Sequence, residues 1–289
     1  MKLAVLGAGT MGRGIAHVAG VAGHAVSLRD VDDDVLADAL ADIESTLDGG
    51  VDRGKLTADE RDAALDRVDA TTDLGGAAGD ADLVVEAVPE DRDLKRSVLS
   101  EAEAAAPGDA VLASNTSSLA VTDLAAALGD PGRFVGLHFF NPVYAMDLVE
   151  VVVAEQTSDG TLAFAREFVD SLGKATVEVS DAPGFASSRL GVALGVEAMR
   201  MVQEGVASPG DVDAAMELGY NHPMGPLELT DVVGLDVRLD VLEHLREELG
   251  ERFRPPQVLK RKVQAGKLGK KTGEGFYEWE DGDIVGVAE

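Results

Sequence analysis

His138 and Glu150 are a pair of side chains suited to moving a proton together. The imidazole lies near the end of an apolar run, Arg133 to Phe139, and the carboxylate follows twelve residues later beside a second run, Leu148 to Val153. Asn141 and Pro142 break the chain between them, so the second run can return beside the first and bring Glu150 back to His138. An imidazole titrates near neutrality and can take a proton from an alcohol and later return it. A carboxylate on its other nitrogen would fix the tautomer and stabilise the imidazolium. The bland alternative is a core histidine and an unrelated strand-end glutamate, because sequence separation does not demonstrate contact.

The remaining histidines offer less. His17 falls within a helical stretch, His24 at a turn and His244 on a charged helix, while His222 in NHPMGP has no acid at strand spacing. No His, Asp or Glu group has metal-ligand spacing, and the chain lacks cysteine.

A second constellation precedes the first. The apolar run Lys2 to Leu6 ends at Gly7-Ala8-Gly9-Thr10-Met11-Gly12, after which Gly14 to Ala22 reads as a helix. Strand, glycine turn and helix form the context that a dinucleotide fingerprint requires. Gly7 allows the tight turn, Gly9 lets backbone approach a pyrophosphate, and Gly12 lets helix pack on strand, with Thr10 and Met11 in the same phosphate-facing turn. A second strand, Ala25 to Leu28, ends in Arg29-Asp30, which places an acid where a ribose would be bound. A carboxylate there accepts from a free 2′-hydroxyl and repels a 2′-phosphate, so NAD is expected over NADP, although Arg29 could accommodate a phosphate.

These groups need a scaffold, and the alternation of apolar runs with helical spacing predicts an α/β fold with a doubly wound, mostly parallel Rossmann sheet. Asp32 to Asp69 reads as a helical pair broken at Gly49-Gly50, placing Thr46, Arg53 and Lys55 where they could meet an anionic substrate tail or simply end a solvated helix. Ala81 to Val88 is a buried strand ending in Pro89-Glu90, followed by a helix carrying Lys95. Asp109 to Ala113 runs into the polar cluster Ser114 to Ser118 at a strand's C-terminal end, where such sheets bind ligands. Ser117 or Ser118 could equally be a helix cap. After a helix from Thr161 to Leu172 and a strand from Thr176 to Val179, the pattern changes at Asp181-Ala182-Pro183-Gly184. Two domains are expected, 1–182 binding NAD and 183–289 smaller and all-helical, with helices at Ser188 to Gln203, after Ser208-Pro209, Leu227 to Leu249, and from Pro255-Pro256 to Ala265. The last stretch, Gly266 to Tyr277, is glycine-rich and basic, which suggests an anionic ligand or the facing domain.

The 289 residues carry 53 acidic against 25 basic side chains, a net charge of −28, which argues against nucleic acid as a partner. Five of the nine lysines lie within 260–271, so the rest of the surface repels itself unless salt screens it. That composition suits a salty cytoplasm. The opening run is too short for a signal peptide and no run approaches a membrane span, so a cytoplasmic protein off the membrane is expected.

Nearly the whole chain resembles the L-3-hydroxyacyl-CoA dehydrogenases, particularly the short 3-hydroxybutyryl-CoA type. GAGTMGRGIA, VVEAVPED with Lys95, SNTSS, HFFNPVYAMDLVEV, DAPGFASSRL, HPMGPLELTDVVGLD and GKKTGEGFY carry the likeness. The resemblance implies His138 as catalytic base with Glu150 as its partner, and Ser117 on the substrate oxygen. It implies Asn115, Glu90 and Lys95 along the nicotinamide half of NAD, Asn141 holding the site, and Lys271 reaching across from the helical domain. It also implies an acyl-CoA substrate, oxidation to a 3-ketoacyl-CoA, and a homodimer through that domain. Where the family usually has asparagine before the arginine of its PGF motif, this chain has Ser188 before Arg189. A shorter hydroxyl would then serve in the site, which affects the thioester contact and chain-length preference. Rival readings keep the fold with a non-CoA hydroxy acid of gulonate or carnitine type, or drop catalysis for a nucleotide-binding or structural role, as in some crystallins.

Overall fold

The computed structural model describes residues 1–288. Its first unit, Met1–Ala182, is built on β1 (Lys2–Leu6), whose Leu3 to Leu6 are buried, as expected of a central parallel strand covered on both faces. The elements follow as α1 (Thr10–Val21), β2 (Ala25–Arg29), α2 (Asp33–Asp52), α3 (Ala58–Leu65), β3 (Val68–Thr71), α4 (Leu74–Ala78) and β4 (Leu83–Glu86). Next come α5 (Arg92–Ala105), β5 (Val111–Ser114), α6 (Val121–Ala125), β6 (Phe134–Phe139), β7 (Leu148–Val153), α7 (Asp159–Ser171) and β8 (Ala175–Ser180). The strands form one eight-stranded sheet in the order β3-β2-β1-β4-β5-β6-β7-β8. Every pair is parallel except β6 with β7. The order reverses between β1 and β4, so the crevice outside their C-terminal ends is where this architecture takes ligands.

Two expectations about this unit are corrected. Helix α2 does not break at Gly49-Gly50 but runs on to Asp52, since its buried face of Leu36, Ala39, Ile43 and Leu47 offsets the roughly 1 kcal/mol cost of a glycine. The break comes at Arg53 to Lys55, and Thr57 then caps α3 in a reciprocal pair with Glu60. Val68 and Asp69, read as the end of the helical pair, instead open the edge strand β3 beside β2, too short and polar to show a strand pattern by itself.

The second unit, Pro183–Glu289, holds α8 (Ser187–Gln203), α9 (Pro209–Tyr220), α10 (Pro226–Val233), α11 (Leu235–Leu249) and α12 (Gln257–Gln264). A two-stranded antiparallel hairpin, β9 (Tyr277–Glu280) and β10 (Asp283–Val287), ends the described chain and was not foreseen in an all-helical unit. The single helix expected over Leu227 to Leu249 is two. Gly234, at φ +104°, turns the chain, and the Leu235 N–H donates to Leu268 O rather than within a helix. Met199, Leu227, Leu242, Leu245, Leu259, Phe276 and Trp279 make the core of this unit.

The cations of the basic glycine-rich stretch find partners within their own unit. Lys271 Nζ donates to both Asp236 oxygens at 2.6 Å, Lys262 Nζ to Gly275 O at 2.8 Å, and Lys267 pairs with Glu274. Lys270 lies over the Trp279 ring. Among the described residues no helix is long and apolar enough to cross a membrane.

Candidate active site

Strands β6 and β7 run antiparallel with His138 directly opposite Glu150, so their side chains leave the sheet on the same face. His138 Nδ1 lies 2.7 Å from Glu150 Oε2, with the residues 6 % and 0 % exposed. A carboxylate only accepts, so Nδ1 carries the proton and Nε2 is the nitrogen able to receive one. The Phe140 ring packs 4.5 Å from the imidazole. The connecting loop is pinned by Lys174, whose buried ammonium donates to Val143 O at 2.7 Å and Met146 O at 2.6 Å.

His138 forms part of the wall of a cleft of about 700 Å³ at the C-terminal ends of the parallel strands, with Gly7, Gly9, Asp30, Glu90, Asn115 and Ser117. Gly7 has φ +105°, and a Cβ there would meet Ala87 O at 2.7 Å; a Cβ on Gly12 would meet Gly7 O at 1.7 Å. Both positions therefore require glycine, while Thr10 and Met11 open α1. No side chain caps α1 at Gly9, so the first-turn N–H groups remain available to an anion. Asp30 Oδ2 accepts from Ala8 N at 2.8 Å and its carboxylate reaches the cleft, where it can also accept from ribose hydroxyls. Asn115 Oδ1 accepts from Phe139 N at 3.0 Å and ties the end of β5 to the end of β6. Glycine cradle, uncapped helix and terminal acid together fit a dinucleotide.

Glu90 holds the polar cluster after β5. Its Oε1 accepts from Thr116 Oγ1 at 2.6 Å, Ser117 N at 3.1 Å, and Ser118 N and Oγ at 3.2 and 2.8 Å. Burial works to raise its carboxyl, but the Lys95 charge and these donors outweigh it and hold Glu90 below the usual carboxylate range. The cluster is thus bound to Glu90 rather than spent on capping α6, whose N-terminus has no side-chain cap. Lys95 departs from expectation: it is fully buried behind the cleft wall, donating to Glu86 Oε1 at 2.7 Å and Val88 O at 3.1 Å.

Thr46, Arg53 and Lys55 meet at a second cavity of about 650 Å³, together with His17, Tyr144 and Lys174. A smaller cavity, lined by Thr10, Arg13, Asn141, His17, Thr46 and Tyr144, adjoins both. Asn141 therefore lies there rather than in the main cleft.

His17 carries a pH-dependent share of stability. Burial, with the Lys174 charge, lowers its imidazole from 6.5 to about 4. The folded chain prefers it neutral, so this contribution is complete above about pH 6.5 and fades as pH falls towards 4, at most about 3 kcal/mol in all. A His17→Gln variant should lose less stability than the parent between pH 7 and pH 4.5 in urea unfolding; equal losses would refute the assignment.

Comparison with known proteins decides the lineage. Residues 2–182 match the 3-hydroxyacyl-CoA dehydrogenase NAD binding domain, and residues 184–279 match the 3-hydroxyacyl-CoA dehydrogenase C-terminal domain. The chain belongs to the 3-hydroxyacyl-CoA dehydrogenase family. It is an NAD-dependent oxidoreductase acting on a CH–OH group. A probable 3-hydroxybutyryl-CoA dehydrogenase of Deinococcus radiodurans is 45 % identical, across 96 % of this chain and 100 % of that protein. A 3-hydroxybutyryl-CoA dehydrogenase of Bradyrhizobium diazoefficiens is 43 % identical, across 96 % and 95 %. Among solved structures, the (S)-3-hydroxybutyryl-CoA dehydrogenase PaaH1 of Ralstonia eutropha superposes with a TM-score of 0.93 at 39 % identity, covering 97 % of this chain and 99 % of that one.

Within this dehydrogenase, the first unit gathers His138, Glu90, Asn115, Ser117, Asp30 and the glycine turn at one cleft. Ser188 and Lys271 lie in the second unit, Ser188 in the first turn of α8 and Lys271 on Asp236. Read along the chain, Glu86 and Lys174 have no role, and His17 is set aside as a helix residue. Glu86 had a readable signal, an acid closing the apolar run LVVE, since a buried carboxylate must find partners.

Proposed function

We propose that this enzyme oxidises short-chain L-3-hydroxyacyl-CoA to 3-ketoacyl-CoA, reversibly, with His138 as general base and Glu150 as its orienting partner. The observation that carries the reading is the 2.7 Å bond between His138 Nδ1 and Glu150, buried beside a dinucleotide-shaped cleft. His138 Nε2 takes the C3 hydroxyl proton, and the Glu150 charge stabilises the imidazolium that results. In the reverse direction the same imidazolium returns the proton. NAD, held by Gly7, Gly9, Thr10, Met11, Gly12, Asp30, Glu90 and Asn115, supplies the hydride acceptor when bound. Ser117 donates to the substrate oxygen. The cationic second cavity, with Thr46, Arg53, Lys55 and the buried Lys174, suits the phosphates of a CoA tail. A short acyl chain is favoured by the names of the similar bacterial enzymes. Purified protein in molar potassium chloride with acetoacetyl-CoA and NADH should consume NADH rapidly. A folded protein that binds NADH yet leaves acetoacetyl-CoA untouched would overturn the CoA substrate and direct attention to gulonate and carnitine.

The second domain is assigned substrate binding and dimerisation. Leu218, Tyr220, Leu190 and Val206 stand 88 %, 76 %, 70 % and 61 % exposed in it, an apolar surface that a twofold partner would cover. The net charge of −28 suits a cytoplasm of high ionic strength, where near 1 M salt the Debye length falls to about 3 Å. Thermal unfolding should therefore shift upward from 0.1 M to 2 M potassium chloride; a flat or falling midpoint would refute the adaptation.

A further inference from the structure

Glu86 ends β4, one step below the turn that carries Glu90, and no part of it reaches solvent. An ionised carboxylate so placed would cost several kcal/mol without partners, and the fold supplies three. Val88 N donates to Oε1 at 2.7 Å, Lys95 Nζ donates to the same oxygen at 2.7 Å, and Ser114 Oγ donates to Oε2 at 2.5 Å. Burial pushes the Glu86 carboxyl up, and Lys95 with the other donors pulls against it. Lys95, also fully buried, has three protons and three acceptors: Glu86, Val88 O, and Glu90 Oε2 at 3.3 Å. One cation is thus divided between two carboxylates. Glu86 takes the closer share, which leaves Glu90 Oε1 to the four donors of residues 116–118.

We propose that Glu86 is a positioning residue for the cofactor: by holding Lys95 inward, it leaves Glu90 free to order the Thr116 to Ser118 turn that walls the cleft beside His138. This deepens the reading of that cleft as the NADH site and rests on it. Without the Glu86 charge, Lys95 closes on Glu90, draws it off Ser117 and Ser118, and loosens one wall of the site. Losing a hydrogen bond to a charged group corresponds to roughly tenfold or more in affinity. The chemistry at His138 lies on other strands and is spared.

The test measures NADH dissociation constants by fluorescence, and KM for NADH and kcat with acetoacetyl-CoA, in Glu86→Gln, Glu86→Gln/Lys95→Met and Glu90→Gln enzymes. Glu86→Gln should raise Kd and KM for NADH about tenfold while saturated kcat stays within about twofold. Adding Lys95→Met removes the stranded cation that would capture Glu90, so thermal stability and NADH affinity should both recover towards the parent, Glu90 keeping its four donors in residues 116–118. If Glu86→Gln fails to fold, the double variant is read in its place. Recovery of stability without recovery of NADH affinity in the double variant would mean that Glu86 does not act through Lys95, and would overturn the proposal. Unchanged NADH affinity in Glu86→Gln, or a loss confined to kcat, would overturn it too. Glu90→Gln separates the two levels: if it also leaves NADH binding unaltered, the cleft assignment itself is wrong, whereas weakened binding there beside normal binding in Glu86→Gln sinks only the role given to Glu86.

Discussion

A His138→Gln enzyme should lose about 10² to 10⁴ in kcat for acetoacetyl-CoA reduction while binding NADH within about twofold of the parent. The amide can fill the space of the imidazole, but it cannot exchange a proton near neutrality. Glu150→Gln should fall in the same range for a different reason. With a neutral amide opposite Nδ1, the imidazole is no longer held in the tautomer that leaves Nε2 as acceptor, and the imidazolium loses its counter-charge. Because the two act as a unit, the double variant should be little worse than either single one. Steady-state kinetics with NADH and acetoacetyl-CoA each varied would decide the matter. A defect that appears only in KM for acetoacetyl-CoA would remove the dyad from the proton transfer and leave it a binding feature.

Asp231→Ala should destabilise the second unit by about 3 kcal/mol or more, from three buried donors left unpaired at roughly 1 to 3 kcal/mol each. The carboxylate is fully buried in α10 and accepts from Phe276 N, Tyr277 N and Trp279 Nε1, at 2.9, 2.9 and 3.0 Å. It is the anchor by which the glycine-rich C-terminal stretch is fastened to the helices. Asp213 supports the same junction, accepting from Leu227 N, Glu228 N and the Tyr277 hydroxyl. The chain has one tryptophan, Trp279, so its fluorescence during urea unfolding reports on this unit directly. A loss below about 1 kcal/mol would mean that water or neighbouring groups satisfy those donors once the acid is gone.

The chain by itself determined the parts whose physics is local. Gly7, Gly9 and Gly12 followed by a helix, with Asp30 closing the next strand, specify a phosphate-binding turn, because the backbone itself needs glycine at Gly7 and Gly12 and the open space at Gly9 leaves room for a pyrophosphate. The two apolar runs around Asn141-Pro142 were long enough to be strands and close enough to pair, so the meeting of His138 and Glu150 was already a defined possibility. Whether they met depended on register, since a slip of one residue turns a side chain to the opposite face, and only the folded sheet sets His138 opposite Glu150.

The tertiary structure also decided where each cation goes. Lys95 and Lys271 look like free ligands for a cofactor when read along the chain, yet one is committed to Glu86 and the other to Asp236. Both acids lie elsewhere in the sequence and reach the lysines only through the fold; Lys95, removed from water, takes the partner that packing brings to it. The same holds for β3 and for the break at Gly234. A four-residue strand acquires its identity from β2 beside it, and the bond from Leu235 N to Leu268 O depends on a segment thirty-odd residues further on. Local chemistry names the candidate groups, and long-range packing assigns their partners, because hydrogen-bond distance is a property of the fold and not of the spacing.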